Sequence, residues 1–142
     1  MNTDAHSQDI KMVEFTTQPS AVLKKAIRKT LKGKIDKFYK EYQYIPYLQY
    51  GFFDLNSDRK NEIIVRFAEE YEFRDRHNNI DTHVFAQTSK GLVQILETQA
   101  FSIGIGPSDH TALNQIYAYK GKSQRRYERF GWDGKREYKK TK

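Results

Sequence analysis

Nine residues, Asp54-Leu55-Asn56-Ser57-Asp58-Arg59-Lys60-Asn61-Glu62, place oxygen-bearing side chains at positions one, three, five and nine of a short polar stretch: Asp54, Asn56, Asp58 and Glu62. A hard cation such as Ca²⁺ takes roughly six to eight oxygen ligands, and alternating acidic side chains on a tight loop supply several of them. Lys60, at position seven, would add its backbone carbonyl. Without a metal, the same side chains cap the turn, as Asp and Asn commonly do.

Other groups with chemical potential are less well arranged. The histidines are His6, His77, His83 and His110, with no HExxH or paired-His spacing, which argues against a zinc site. Ser108-Asp109-His110 contains triad residue types, but triads are assembled from distant segments, with the nucleophile on a strained turn. Gly104-x-Gly106 lacks the third glycine of a dinucleotide fingerprint. Glu69, Glu70, Glu72 and Asp75 could supply paired carboxylates for acid/base work, yet charged strand edges also serve simply to discourage aggregation. No residue is assigned a catalytic role, and a carboxylate-based hydrolase is the weakest of the functional alternatives.

The elements that must hold the acidic loop are strands. Tyr47-Leu48-Gln49-Tyr50-Gly51-Phe52-Phe53 enters it and Ile63-Ile64-Val65 leaves it, so the reading is strand, acidic loop, strand. With Asp-Leu-Asn-x-Asp-x-Lys-x-Glu followed by Ile-Ile-Val, the segment resembles the loop of FG-GAP/VCBS-type repeats and of small exported bacterial proteins. The tail Arg126-Tyr127-Glu128-Arg129-Phe130-Gly131-Trp132-Asp133-Gly134-Lys135-Arg136-Glu137-Tyr138 is similar to the closing hairpin of the same proteins. Ser57 and Arg59 stand where that family has glycine, so the loop is a degenerate version of the pattern. The resemblance implies a calcium-type structural loop formed by Asp54, Asn56, Asp58, Lys60 and Glu62, and an inhibitor or immunity-like binding role. It also implies export to the periplasm after removal of a signal peptide. The visible start, Met1-Asn2-Thr3-Asp4, is polar and acidic rather than signal-like, and read by itself points to the cytoplasm.

Length and composition suit a single domain with a real core. The 142 residues include ten Tyr, nine Phe and one Trp but no Cys, so aromatic rings carry much of the apolar area and disulfides are excluded. No run approaches a membrane span. The net charge of +7 is unevenly placed. Residues 20–40 carry eight Lys/Arg against Asp36, residues 120–142 carry ten against Glu128, Asp133 and Glu137, and the middle is acidic.

Residues 1–18 read as a loose leader and residues 19–142 as one α+β domain. Ser20 is a good N-cap, and Leu23, Ile27, Leu31, Ile35, Phe38 and Tyr42 recur at helical spacing, with Gly33 as a point of weakness. Strands are expected near 47–53, 62–73, 82–88 (with Val84 and Ala86 facing away from His83 and Phe85), 92–97, 100–105, 114–119, 124–130 and 136–138. The expected architecture is an N-terminal amphipathic helix packed on one twisted antiparallel sheet of about six to eight strands. On alternating strands the tail's rings would face the core and its cations the water.

Function follows from the charge. The basic ends suit an acidic protein partner, with Trp132 as the aromatic anchor and Lys135, Arg136, Lys139 and Lys140 as rim cations. The expectation is a non-enzymatic protein-binding module. The rival is a nucleic-acid-binding module, because cations interleaved with stacking rings suit single strands.

Overall fold

Ser20 starts the helical part of the fold: its Oγ accepts a hydrogen bond from Leu23 N–H at 3.2 Å, satisfying one of the orphan donors of a first turn. The helix that follows is broken in two, α1 (Ala21–Thr30) and α2 (Lys32–Tyr42). The break falls at Leu31, which leaves helical geometry yet still accepts from Ile35 N–H at 2.9 Å, and not at Gly33. Ile27, Leu31, Ile35 and Phe38 form the buried stripe, with Leu23 partly buried. Tyr42, expected to continue it, is exposed. Gln43 ends α2 in the left-handed region (φ 64°), its N–H bonded to Tyr39 O at 2.8 Å.

The computed structural model describes residues 10–55, 60–67, 79–107, 114–121, 126–132 and 138–141. Its strands are β1 (Lys11–Met12), β2 (Gln49–Phe53), β3 (Glu62–Arg66), β4 (Ile80–Thr88), β5 (Gly91–Ala100), β6 (Ser102–Pro107), β7 (Asn114–Lys120), β8 (Arg126–Trp132) and β9 (Tyr138–Thr141). The α+β class holds, but the single sheet does not. The strands divide into a four-stranded antiparallel sheet, β2-β3-β4-β5, and a five-stranded antiparallel sheet, β1-β6-β7-β8-β9. The chain changes sheets at Phe101, whose N–H bonds Tyr119 O at 2.8 Å while its carbonyl accepts from Arg66 Nη2 at 2.7 Å. The guanidinium of Arg66 also stacks on Phe15, 4.6 Å from the ring centroid.

Two apolar layers result. Leu55, Ile64, Val84, Ile95, Leu96 and Ala100 meet Ile103, Ile105, Ile116, Ala118 and Phe130 between the sheets. On the other face of the four-stranded sheet, Tyr50, Ile63, Val65, Phe67 and Phe85 meet the helical stripe. The alternation along β3, with Ile63 and Val65 to the helices and Ile64 to the second sheet, is the period-two pattern of a strand buried on both faces. Helices, sheet and sheet therefore stack as three layers.

Residues 10–16 run between the two sheets. Val13 N–H bonds Ile103 O at 2.9 Å in one sheet, and Thr16 exchanges two 2.8 Å backbone bonds with Tyr50 in the other. The crossing needs Gly51, since a Cβ there would lie 2.5 Å from Val13 Cγ1. The helical part thus follows a strand rather than opening the fold. Of the strand expected over 62–73, β3 ends at Arg66 and the portion past Phe67 lies outside the described residues.

Candidate functional site

Asp81 and His83 alternate on β4 and so share a face, the one that packs under α2. β4 and β5 form a hairpin whose turn residue Gly91 adopts φ 107°. From Thr88↔Gly91 to Phe85↔Gln94 the register is regular, and then it shifts, pairing Val84 with Leu96 and His83 with Glu97. A bulge of this kind opposes two residues to one and re-aims the side chains beyond it. Ile95 and Leu96 both enter the inter-sheet core, and Glu97 arrives beside His83.

The resulting cluster is dense. Donor atoms of Asp81, His83 and Glu97 all lie within 4.8 Å of one another. His83 Nδ1 is 2.7 Å from Gln94 Oε1. His83 Nε2 faces Asp81 Oδ2 at 3.0 Å. The Lys34 ammonium, from α2, pairs with Asp81 Oδ2 and lies 3.8 Å from Glu97 Oε2 and 3.4 Å from His83 Nε2. It also sits 5.5 Å from the centroid of the Phe67 ring. Asp81 is 2 % exposed. Burial pushes its carboxyl up, but hydrogen bonds from His83 and Lys34 and the charges behind them outweigh that and hold it below the usual carboxylate range. Such a set of donors is of the kind that holds a cation, and here the cation in contact with it is an ammonium. Chemically the group works as an ionic latch that fixes α2 to the sheet.

A second feature is the surface where α2 ends. Tyr42 and Tyr44 both pack on the Phe38 ring, with centroids 4.7 and 5.0 Å away. Tyr39, Tyr42, Tyr44 and Ile45 are 38–55 % exposed, a large apolar group for one helix end. Lys37 and Lys40 are exposed on the same helix.

The residues singled out from sequence fare differently. Glu62 is buried, and its Oε1 accepts from Leu55 N–H at 2.7 Å, closing the acidic loop from inside. Asp54 is half-buried, its carbonyl accepting from Asn114 Nδ2 at 3.4 Å; Lys60 is exposed. Asn56 and Asp58 lie outside the described residues.

In the tail, Lys135 and Arg136 lie outside the described residues, and Trp132 and Lys139 are described by backbone alone. Lys140 Nζ binds Glu128 Oε2 at 2.8 Å and Lys120 Nζ binds Glu128 Oε1 at 2.8 Å. Hydrogen bonds from Lys120 and Lys140, opposed by burial, hold the Glu128 carboxyl below its ordinary range. Lys140 is therefore part of a charge triplet rather than a lone rim cation. Glu69, Glu70, Glu72, Asp75, Asp109 and His110 lie outside the described residues.

The tail's rings are not all directed to the core. Ile116, Ala118 and Phe130 face inward, whereas Tyr117, Tyr119 and Tyr127 share the outer face, with centroids 5.6–6.5 Å apart. Gly104 and Gly106 make room for them: a Cβ on Gly106 would meet Tyr117 Cε1 at 2.9 Å, and one on Gly104 would meet Tyr119 Cε2 at 3.1 Å. That is what the Gly-x-Gly pair does here. No family model, no curated protein and no solved structure matches this chain. Its function must be argued from its own surfaces.

Sequence reasoning did not assemble the Lys34–Asp81–His83–Glu97 cluster. The expected strand began at Thr82, so His83 was placed on a strand face but Asp81, which β4 includes, was not. The bulge that brings Glu97 alongside was not visible, because counting from the hairpin turn without it sets Leu96 opposite His83.

Proposed function

We propose that this chain is a non-enzymatic protein-binding module that offers the tyrosine surface at the end of α2, with its flanking cations, to an acidic protein partner. The observation that carries this reading is the packing of Tyr42 and Tyr44 on Phe38, with Tyr39 and Ile45 exposed next to them in sequence. Tyrosine supplies large contact area at low entropic cost and is enriched at interface centres. Lys37 and Lys40 provide the complementary field that speeds encounter and selects against basic partners. Such a module acts by occupancy, as an inhibitor or immunity-type protein does. The latch at Asp81 keeps α2, and hence the surface, in a fixed position.

A second reading has its own observation. The outer-face rings of Tyr117, Tyr119 and Tyr127, with Arg129 paired opposite Tyr117, resemble a stacking platform for single-stranded nucleic acid. It is the weaker reading because Tyr117 is buried and Lys120 and Lys140 are engaged with Glu128. The experiment that tests the first reading is site-specific photo-crosslinking from position 39 in the host. The expected product is a defined acidic protein whose capture is lost with Tyr42→Ala and Tyr44→Ala. Capture indifferent to those changes, or capture of nucleic acid instead, contradicts it.

A further inference from the structure

Beside the start of α1 lies a pocket of about 310 Å³ lined by Thr17, Gln18, Lys24, Arg28, Tyr47, Leu48 and Tyr50. Lys24 and Arg28 are one helical turn apart and so project to the same side of α1. Among the described residues neither makes an ion pair. Tyr50 is 1 % exposed, and its hydroxyl is buried without a hydrogen-bond partner. An unpartnered buried hydroxyl forfeits the hydrogen bonds it had in water, and native proteins rarely leave one so. Tyr47, by contrast, is largely exposed at the rim.

We propose that this pocket binds a phosphate monoester carried on an aromatic ring, with Arg28 and Lys24 neutralising the dianion, Tyr50 and Gln18 donating hydrogen bonds, and Tyr47 stacking on the ring. The charge decides the class: two cations match a dianion better than a carboxylate. Arginine's planar fork suits phosphoryl oxygens. The space exceeds that of a bare phosphate and leaves room for a ring. Burial raises the Tyr50 pKa, opposed by the nearby Arg28 charge, so the phenol remains a hydrogen-bond donor at neutral pH. The inference concerns α1 and the pocket beside it, and it stands apart from the partner surface at the end of α2.

Titration with phenyl phosphate at physiological salt, followed by NMR or calorimetry, tests it. Saturable binding with a dissociation constant at or below about 1 mM is expected. Arg28→Gln should weaken it about tenfold or more, the loss of a charge-assisted hydrogen bond. Lys24→Gln serves if Arg28→Gln does not fold, and Lys25→Gln, outside the pocket, should leave affinity nearly unchanged. Tyr50→Phe carries the sharpest expectation: binding weakens while the melting temperature of the ligand-free protein stays level or rises, because the orphan hydroxyl is gone. Inorganic phosphate, lacking a ring for Tyr47, should bind more weakly. Absence of saturable binding, equal losses in Lys25→Gln and Arg28→Gln, unchanged affinity in Tyr50→Phe, or equal affinity for inorganic phosphate each overturns the proposal.

Discussion

Lys32 and Lys34 stand two residues apart on α2, and each pairs with an aspartate, yet their replacement should have very different consequences. Lys32 binds Asp36 on the helix surface, with side chains 72 % and 59 % exposed. Exposed i, i+4 pairs contribute a few tenths of a kcal/mol, so Lys32→Ala should change stability by no more than about 0.5 kcal/mol. Lys34 is 29 % exposed and its partner Asp81 is buried. Removing one member of a fully buried pair costs about 3–5 kcal/mol, because the other charge is stranded. Partial exposure of Lys34 lets water reach the site, and His83 and Gln99 still contact Asp81, so Lys34→Ala should cost about 2–3 kcal/mol. Urea unfolding at pH 7 measures both, provided the m-value is unchanged. Asp81 has a folded-state pKa below its unfolded value. Its contribution is therefore complete above about pH 4, the unfolded carboxylate range, and is lost as the pH falls through the lower folded value. Glu128 contributes to the same acid limb, so the difference between wild type and Lys34→Ala isolates the latch. Equal effects of the two lysine substitutions, or the same acid limb in both proteins, would refute the argument.

Three further expectations follow from packing and the loop. Leu31→Ala removes a buried contact at the helix break and should cost about 2–5 kcal/mol by denaturant unfolding; a loss under about 1 kcal/mol would mean the helices are not docked on the sheet. Gly104→Ala places a Cβ 2.7 Å from Ile10 Cγ2 and 3.1 Å from Tyr119 Cε2, and should cost about 1–3 kcal/mol by the same measurement. If the acidic loop holds calcium, millimolar Ca²⁺ raises the melting temperature, EDTA reverses the rise and Asp54→Ala abolishes it; no response leaves Glu62 as the closure of the turn alone.

Much of the fold was legible because local chemistry and burial agree. Ser20 and the stripe from Ile27 to Phe38 mark the helices, and the Ser89-Lys90-Gly91 turn marks the β4–β5 hairpin. What escaped reading depends on contacts distant in sequence. Nothing local at Ala100–Phe101–Ser102 announces that the chain leaves one sheet for another; Arg66, far upstream, holds that corner. Nor does Ile95 advertise a bulge, although the bulge sets the whole face to which Glu97 belongs. The tyrosines of the outer face depend on two glycines on the neighbouring strand, so alternation along β7 alone could not tell which face meets the other sheet. Tyr42 keeps the helical spacing of the buried stripe, but α2 ends there, and the residue passes to the surface that the proposed function uses.

Binding kinetics with the crosslinked partner test that function most directly. Buried aromatic anchors set the lifetime of a complex, while rim charges set the encounter rate. Tyr39→Ala, Tyr42→Ala and Tyr44→Ala should therefore speed dissociation, and Lys37→Ala with Lys40→Ala should slow association and flatten its salt dependence. The contradicting result is a tight complex with random-sequence single-stranded nucleic acid at physiological salt. It would be unaffected by the three α2-end tyrosines, and its log affinity would fall with log salt by roughly 0.7 for each phosphate contact.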